Sequence, residues 1–309
     1  MDSKSQGRVY FLDLGLVTYP NVNGRILSCL ADGSDLRELL TGMKSFPDGL
    51  AIDATNNHLY WTNMGSSVFA DDGTIQRCDI ETGKNVVTIV PTGFTHTPKQ
   101  VTIARPSGEQ EKLFWCDREG MKVMRCNLDG SCIETLVSTG DPNIHKGDAT
   151  RWCVGIAVDT KRKHVYWTQK GGSKGHQGRI FRAGLNLPSG AMPDNRTDIE
   201  LMFSNLPEPV DLEFDETTET LYWTDRGDPP FGNSVNSAGM EGGKAGIKRR
   251  LLVRKLHEGV GIALDIKHGR MFFTDIGGGV YAAKLDGSGK KILCKDIGDC
   301  TGIAFYSAL

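Results

Sequence analysis

The chain has 309 residues, 39% of them hydrophobic, so it is long enough to bury a substantial core. Its formal net charge is −2 with both signs interspersed, which indicates neither a nucleic-acid partner nor an anionic membrane surface. It has no run of 18 apolar residues, so we expect no membrane span, and its polar segment 1–7 lacks the apolar core of a signal peptide. We therefore expect a cytoplasmic, intracellular protein, in which the eight cysteines are free thiols.

Six aromatic tetrads recur along the chain at intervals of 50 to 56 residues, each within a short run rich in β-forming residues. In chain order they are Tyr-Phe-Leu-Asp at 10–13, Tyr-Trp-Thr-Asn at 60–63, Phe-Trp-Cys-Asp at 114–117, Tyr-Trp-Thr-Gln at 166–169, Tyr-Trp-Thr-Asp at 222–225 and Phe-Phe-Thr-Asp at 272–275. Five tetrads follow another strand-like run, at residues 49–53, 100–104, 155–159, 210–214 and 261–265. A unit of about fifty residues accommodates four short strands and their turns, which is one blade of a β-propeller.

Two further strands complete each unit after the tetrad. In the third unit they are residues 123–127 and 133–137, joined through Asp129 and Gly130, a pair suited to the positive φ of a tight hairpin turn. We therefore predict an all-β, six-bladed β-propeller with four antiparallel strands in each blade, forming a single domain over residues 1–309. The predicted repeats span residues 8–42, 43–90, 91–139, 140–205, 206–256 and 257–296.

The two ends of the chain predict how the ring closes. The first tetrad has no inner strand before it, whereas the Gly-Ile-Ala-Phe run at 302–305 matches the inner-strand pattern and has no tetrad after it. We predict that a C-terminal strand, residues 299–306, completes the first blade and so covers two sheet edges at once.

The tetrads, together with the preceding Gly-Leu-Ala-Ile-Asp pattern of residues 49–53, resemble the YWTD repeats of the low-density-lipoprotein-receptor family. The resemblance spans roughly residues 8–309 and implies the propeller fold of that family. Alternate side chains of a strand face opposite sides of its sheet, so we expect the two aromatic residues of each tetrad to wedge between blades. Asn63 and Gln169 replace the tetrad acid in two blades, which departs from the family pattern.

Loop lengths predict which face of the propeller carries a site. Long connections fall on the face that carries the second-to-third-strand loops and the blade-to-blade connections, at residues 16–23, 65–73, 92–97, 140–151, 171–177 and 228–235. We call this the second face. Long loops on a rigid scaffold often carry function, and Trp152 and four of the seven histidines fall here. We therefore predict a ligand pocket at this mouth of the channel.

Four carboxylates offer a different site. Asp48, Asp211, Glu258 and Asp299 each lie near the start of an inner strand, and a ring of oxygen ligands suits Ca²⁺ or Mg²⁺, as in six-bladed lactonases of the gluconolactonase type. Alternatively, these carboxylates bond to neighbouring backbone amides and to one another. The accompanying asparagine pattern of those lactonases is missing here, and we expect neither a metal nor another cofactor.

Three functions therefore remain open: a protein-binding module, a metal-dependent lactonase or hydrolase, and a metal-free enzyme for apolar small molecules. In fold, size and expected compartment the chain also resembles the stand-alone fungal propeller hetero-Diels–Alderases of tropolone-sesquiterpenoid biosynthesis. That resemblance implies secondary metabolism, with terpenoid and tropolone or polyketide substrates, and the coupling of a tropolone o-quinone methide with a humulene-type alkene. We predict a cyclase of this kind, while the substrate, the stereochemistry and the oligomeric state stay open.

The candidate site residues follow from the needs of such a coupling. Two apolar partners must be held together away from water, and the expected binding residues are Trp152, Phe46, Phe69, Phe231, Tyr19 and Asp48. If loss of water unmasks the diene, an acid and a base are required; the expected groups are His96, His257, Asp211 and Glu258. Lys99, Gln100 or Arg151 would polarise the tropolone oxygens.

Overall fold

A computed structural model describes residues 7–67, 70–240 and 247–307, so the predicted binding residue Phe69 lies outside the described residues. Within these ranges the chain forms 24 strands and three short 3-10 helices, at Leu16–Thr18, Ala149–Arg151 and Ile266–His268. None of these helices is long and apolar enough to cross a lipid bilayer.

The strands form six sheets of four antiparallel strands each. Blade 1 contains β1 (Arg8–Asp13), β2 (Gly24–Leu30), β3 (Arg37–Met43) and the C-terminal β24 (Cys300–Tyr306). Blades 2 and 3 contain β4 (Pro47–Asp53), β5 (His58–Asn63), β6 (Thr74–Asp79), β7 (Val87–Val90), β8 (Pro98–Ala104), β9 (Lys112–Asp117), β10 (Lys122–Asn127) and β11 (Glu134–Ser138). Blades 4 and 5 contain β12 (Cys153–Asp159), β13 (His164–Gln169), β14 (Gly178–Gly184), β15 (Glu200–Leu206), β16 (Pro209–Asp215), β17 (Thr220–Asp225), β18 (Ser234–Gly239) and β19 (Arg250–Val253). Blade 6 contains β20 (Gly259–Asp265), β21 (Arg270–Asp275), β22 (Val280–Lys284) and β23 (Lys291–Cys294).

The innermost strand of each blade contacts the innermost strands of both neighbours, and the six therefore surround one central channel. In blade 1 that strand is β24, which pairs antiparallel with β1, Val9 lying opposite Phe305 and Tyr10 opposite Ala304. The chain thus forms the predicted six-bladed propeller, and the predicted closure of the first blade by the C-terminal strand is confirmed.

The aromatic residues of the tetrads fill the seams between blades. Tyr60 of blade 2 belongs to the same buried cluster as Trp115 of blade 3, and Tyr166 of blade 4 to the same cluster as Trp223 of blade 5. The other four seams repeat this arrangement, in which the first aromatic residue of one tetrad meets the second aromatic residue of the next. Full burial of one large apolar side chain contributes about 1.5–3 kcal/mol, so these residues are structural, as expected.

The acid of the tetrad fixes the connection that enters its own blade on the second face. The carboxylate of Asp117 accepts hydrogen bonds of 2.7 Å from the backbone amides of both His96 and Thr97. In blade 4, where Gln169 replaces the acid, its side-chain amide instead donates to the carbonyl of Thr150 at 3.1 Å. The replacement changes an acceptor into a donor, but the residue still holds the incoming connection.

Candidate functional site

A cleft of about 1000 Å³ lies on the second face, above blades 3 and 4. Its walls come from the β7–β8 connection, the β9–β10 turn and the long β11–β12 connection. Three predicted site residues line it, namely His96, Arg151 and Trp152. The loop-rich face therefore carries a cleft, which is centred between two blades.

The β11–β12 connection ends in a 3-10 turn that positions Arg151 and Trp152. Asp148 precedes this turn, and its carboxylate accepts hydrogen bonds from the amide of Thr150 at 3.1 Å and from Nε of Arg151 at 3.0 Å. Nη1 of Arg151 donates to the carbonyl of Thr139 at 2.6 Å, and the Thr139 hydroxyl donates to the Arg151 carbonyl at 2.5 Å. These bonds hold the guanidinium at the edge of the cleft.

Two cations that come from neighbouring blades lie over the ring of Trp152. The guanidinium carbon of Arg118 is 5.2 Å from the centroid of the indole, and Nζ of Lys170 is 5.9 Å from it. Both distances are within the range of a cation–π interaction. The indole Nε1 is buried and has no hydrogen-bond partner among the described residues.

Two half-buried histidines line the same cleft, His96 on the β7–β8 connection and His145 on the β11–β12 connection. The ring Nδ1 of His96 lies 3.1 Å from the hydroxyl of Thr97, and its Nε2 lies 3.7 Å from the carboxylate of Asp71. Nδ1 of His145 accepts a hydrogen bond from the amide of Asp141 at 3.0 Å. Two imidazole rings, one from each connection, therefore line the cleft that contains Trp152.

A second cluster, at the channel mouth between blades 2 and 3, contains Asp48, Lys99 and Gln100. Nζ of Lys99 forms an ion pair with Asp48 and contacts the sulfur of Met64 at 3.1 Å. Nε2 of Gln100 donates to the other oxygen of Asp48 at 3.0 Å. Burial lowers the pKa of Lys99 to about 8 although Asp48 attracts the ammonium. These three predicted site residues lie together, but they do not line the cleft.

Asp211 is buried on the inner strand of blade 5. Its carboxylate accepts hydrogen bonds from the amides of Leu212, at 2.9 Å, and of Ile262 in blade 6, at 3.0 Å. Burial holds its pKa well above the usual range, and the charges of Glu213 and Asp48 add to that effect. Burial also raises the pKa of Glu213, to about 8. Asp211 therefore joins two blades, away from the cleft.

His257 and Glu258 lie on the connection into blade 6. The backbone amide of His257 donates to the tetrad acid Asp275 at 2.9 Å, while its side chain is exposed. Glu258 forms an ion pair of 2.7 Å with Arg226, which in turn lies 3.4 Å from Glu208. Neither of the two predicted acid–base groups lines the cleft.

The proposed ring of carboxylates does not converge. Asp48, Asp211 and Glu258 have the separate partners described above, and Asp299 accepts a hydrogen bond from the amide of Val17 at 3.0 Å. Within the described ranges no three histidine, cysteine or acidic side chains are grouped as a metal site would require. The alternative interpretation, in which these carboxylates bond to nearby amides and side chains, describes their contacts.

Three of the predicted binding residues, all aromatic, lie outside the cleft. Phe46 is 5% exposed because its backbone turns at a positive φ of 50° and its side chain enters an apolar cluster with Leu14 and Met64. Phe231 is 49% exposed and lies under the guanidinium of Arg249 at 4.6 Å. Tyr19, on the β1–β2 loop, is 72% exposed.

Comparison with known proteins identifies the family. No protein-family model matches the chain. A protein of Pyricularia oryzae (strain 70-15) named low-density lipoprotein receptor-related protein 1 is 48% identical over 315 residues, which cover 98% of this chain and 99% of that protein. The chain belongs to this low-density-lipoprotein-receptor-related family of YWTD propellers.

Two further comparisons show a second relative and a shared fold. The 3-hydroxyacyl-CoA dehydrogenase-like protein LAM1 of Cochliobolus heterostrophus is 38% identical over 310 residues, covering 96% of this chain and 64% of that protein. A chain of the crystal structure of a nidogen/laminin complex superposes with a TM-score of 0.70 at 18% identity, covering 98% of this chain and 99% of the other. At this identity the superposition demonstrates the shared fold alone.

In this YWTD propeller the residue that follows the tetrad is a cation in three consecutive blades. These residues are Arg118, Lys170 and Arg226, which follow the tetrads of blades 3, 4 and 5. Two of them, Arg118 and Lys170, lie over the ring of Trp152. Neither was among the predicted site residues. The signal was present in the sequence, because a cation at one fixed position of successive repeats must recur around the same mouth of the channel.

Proposed function

We propose that this YWTD propeller is a metal-free cyclase of secondary metabolism that acts in the cleft above blades 3 and 4. The reaction proposed is a hetero-Diels–Alder coupling of a tropolone o-quinone methide with a humulene-type alkene. The observation that carries the proposal is the environment of Trp152, an indole wall with two cations over its ring, in a cleft of about 1000 Å³. Pockets for small organic ligands are commonly about 300–1000 Å³.

The chemistry of an o-quinone methide fits these groups. Its planar ring carries oxygen atoms and is poor in electrons, so it can pack against the part of the Trp152 indole that lines the cleft. Hydrogen bonds from Arg151 to the ring oxygens would draw electron density out of the diene and make it more reactive towards an alkene. The protein would also hold both reaction partners at bonding distance, and this contribution to the rate needs no covalent nucleophile.

His96 is the proposed acid–base group. Its ring lines the cleft, and its Nε2 lies 3.7 Å from the carboxylate of Asp71. A protonated His96 would donate its proton to the leaving hydroxyl, which departs as water, and the ring hydroxyl of the tropolone would release its proton to solvent water, which leaves the neutral diene. A positioned acid–base group contributes about 10²–10⁴-fold in rate, so replacing His96 should slow the enzyme without abolishing turnover.

The remaining predicted groups have a smaller part in this proposal. Asp48, Asp211, Glu258, Lys99 and Gln100 are engaged with protein partners away from the cleft. The proposal therefore assigns them to the structure of the channel mouth. It retains the cytoplasmic location expected from the sequence, which fractionation of the producing cells tests.

A turnover assay tests the proposal. The o-quinone methide precursor and the alkene are incubated with wild type, Trp152→Ala, Trp152→Phe and His96→Ala, and rate and stereoisomer ratio are measured. We expect Trp152→Ala to change both, Trp152→Phe to retain part of the selectivity, and EDTA to have no effect. Phe231→Ala is the matched control, because it also removes a ring under a guanidinium but lies outside the cleft. A wild-type rate and stereoisomer ratio equal to those without protein would overturn the proposal.

A second function, protein binding, is favoured by a different observation on the same face. Val17, Tyr19 and Ile144 are 75%, 72% and 75% exposed, although apolar side chains of this size are usually buried. Val17 and Tyr19 lie on the β1–β2 loop and Ile144 on the β11–β12 connection, so a partner that contacts all three would cover much of the second face. If Tyr19→Ser and Ile144→Ser abolish capture of a protein partner while turnover is absent in wild type, the binding function is the correct one.

A further inference from the structure

One lysine in the cleft has no partner within the protein. Lys122 is the first residue of β10, and its half-buried side chain lines the cleft above blades 3 and 4. Among the described residues its ammonium forms no hydrogen bond and no ion pair. Every other buried or half-buried lysine of the described chain bonds to an acidic or amide side chain, namely Lys99 to Asp48, Lys112 to Asn127, Lys163 to Glu109 and Lys170 to Glu208. The Lys122 ammonium is therefore available to a ligand.

The sheet register of blade 3 explains why this ammonium is free. Lys122 lies opposite the tetrad acid Asp117, and Arg25 lies at the equivalent position opposite Asp13 in blade 1. One oxygen of Asp13 accepts backbone amides at 3.0 Å, while the other accepts Nε and Nη2 of Arg25 at 2.9 and 2.7 Å. In Asp117 both oxygens accept backbone amides, at 2.7, 2.7 and 3.2 Å, and no ion pair with Lys122 forms. The acid that neutralises the cation in blade 1 is thus already occupied in blade 3.

Lys122 belongs to the part of the cleft beside the β7–β8 connection. Paired residues of antiparallel strands project their side chains from the same face of a sheet, so Lys122 projects with Asp117. The Asp117 carboxylate holds the amides of His96 and Thr97 in that connection, and His96 lines the cleft. Arg151, the half-buried arginine of the cleft, comes from the β11–β12 connection. The cleft thus offers a ligand two half-buried cations that come from different elements.

We propose that Lys122 binds the acidic ring oxygen of an aromatic ligand, so that the cleft selects rings that carry a hydroxyl beside a carbonyl group. The inference rests on the proposed function, because a tropolone has these two oxygens on adjacent ring carbons. An ammonium donates hydrogen bonds and favours the ionised form of a neighbouring acidic hydroxyl. Lys122 thereby takes the part expected from the sequence of Lys99 or Gln100, both of which bond to Asp48 away from the cleft.

Lys122 can bind a ligand oxygen without giving up a bond to the protein. Arg151, by contrast, donates to Asp148 at 3.0 Å and to the carbonyl of Thr139 at 2.6 Å, so part of its hydrogen-bonding capacity is used within its own connection. A half-buried ammonium without a counterion attracts an oxyanion strongly, because no protein acid shares that attraction. Lys122 is therefore the residue that determines affinity for the ionised ring, while Arg151 donates to the second oxygen.

Tropolone and its methyl ether, which cannot ionise, are the probes of the first experiment. Dissociation constants are measured by isothermal titration calorimetry for wild type, Lys122→Met and Lys122→Arg. We expect wild type to prefer tropolone, Lys122→Met to bind it about tenfold to hundredfold more weakly and no better than the ether, and Lys122→Arg to retain most of the affinity. Lys84→Met, at an exposed lysine outside the cleft, is the matched control and should bind as wild type does. Equal tropolone affinities of wild type and Lys122→Met would overturn the proposal.

Acetylation of the wild-type protein gives a measurement that needs no variant. Lysines are acetylated with acetic anhydride in the presence and absence of tropolone, and the modified peptides are mapped. We expect tropolone to protect Lys122 and to leave Lys84 as reactive as before. Protection of Lys146, the exposed lysine of the cleft, in place of Lys122 would contradict the assignment, as would equal acetylation of Lys122 in both samples. This comparison decides the matter even if Lys122→Met fails to fold.

This inference and the proposed function fail in different ways. The coupling reaction is measured with the same proteins that were used for the binding experiments. If wild type catalyses no coupling but binds tropolone through Lys122, the proposed function is wrong and the tropolone site is supported. If wild type catalyses the coupling and Lys122→Met equals it in both tropolone affinity and rate, the assignment of Lys122 is wrong and the proposed function is supported.

Discussion

The hydroxyl of Thr168 joins two neighbouring blades: it donates a hydrogen bond of 2.8 Å to the carbonyl of Val210, on the inner strand of blade 5. It also accepts one of 2.7 Å from the amide of Gly155 in its own blade. The tetrad threonines of blades 2, 5 and 6 make the same pair of bonds. In blade 3, where Cys116 replaces threonine, the thiol donates to the Gly155 carbonyl at 3.2 Å. The third residue of the tetrad therefore connects adjacent inner strands.

Replacing this hydroxyl should destabilise the ring at one seam. Thr168→Val preserves the shape of the side chain but leaves the Val210 carbonyl and the Gly155 amide without their partner. An unsatisfied buried polar group costs about 1–3 kcal/mol, so we expect the free energy of unfolding to fall by about 2 kcal/mol in urea titrations. Thr168→Ser keeps the hydroxyl and should lose less. A valine variant as stable as wild type would contradict this role.

The fold could be predicted from the sequence because its signals are local and repeated. The tetrads recur at a nearly constant interval, and the unpaired strand pattern at 302–305 specifies how the ring closes. The cleft could be predicted only in part, because loop conformation decides which side chains meet. Arg151 and Trp152 depend on a 3-10 turn held by Asp148. Phe46 adopts a positive φ that directs its ring into a buried cluster, and a sequence pattern does not reveal that conformation.

Glu213 should make the stability of the protein depend on pH. Burial raises the pKa of its carboxyl from the ordinary 4.5 to about 8, so between these values the folded protein holds a proton that the unfolded chain has released. Stability must then fall as the pH rises from 4.5 to about 8, and the loss is complete above 8. Glu213→Gln cannot ionise, and at pH 8 it should be more stable than wild type by on the order of 2 kcal/mol.

Unfolding curves at pH values of about 5, 6.5 and 8 measure this effect. The charge of Glu213 helps to raise the pKa of the neighbouring Asp211, so the difference between wild type and Glu213→Gln measures Glu213 together with its effect on Asp211. Glu81→Gln, at an exposed glutamate, is the control and should follow the wild-type pH dependence. Parallel pH dependences for wild type and Glu213→Gln would show that this carboxyl is not the source.

The ion pair of Lys99 and Asp48 should be sensitive to loss of one partner and tolerant to loss of both. Lys99→Met leaves Asp48 as a buried, uncompensated charge, and removing one partner of such a pair costs about 3–5 kcal/mol. Because burial lowers the pKa of Lys99 from 10.5 to about 8, ionised Lys99 opposes folding below pH 8, and this penalty disappears as the pH rises to 10.5. Because Asp48→Asn removes the uncompensated charge, the double variant Lys99→Met with Asp48→Asn should be more stable than Lys99→Met alone.

A double-mutant cycle measures this coupling. Urea titrations of wild type, both single variants and the double variant should give a coupling free energy of about 2 kcal/mol. Gln100 donates to Asp48 in wild type, and the amide introduced by Asp48→Asn retains an oxygen that can accept that bond. Strictly additive losses in the double variant would show that the two side chains stabilise the channel mouth independently.

A side chain at position 140 should change the shape of the cleft without preventing the protein from folding. A Cβ atom at this position would lie 2.9 Å from Cδ of Arg151, 2.7 Å from the sulfur of Met121 and 3.2 Å from Nδ1 of His145. Arg151 and Met121 have flexible side chains that can move aside, so Gly140→Ala should fold with nearly the wild-type melting temperature. The displaced guanidinium would no longer meet a ligand correctly, and small misplacements of this kind reduce kcat/KM by about tenfold or more.

The matched control is Gly239→Ala, at the end of β18, where an added Cβ meets no other atom within 4 Å. Both variants add one methyl group, but only Gly140→Ala adds it beside the cleft. Melting temperature and kcat/KM for the coupling reaction are measured for both, and we expect the control to match wild type in both. If Gly140→Ala keeps the wild-type kcat/KM, the position of Arg151 does not matter for turnover, and Arg118 and Lys170, the cations over the ring of Trp152, become the next groups to test.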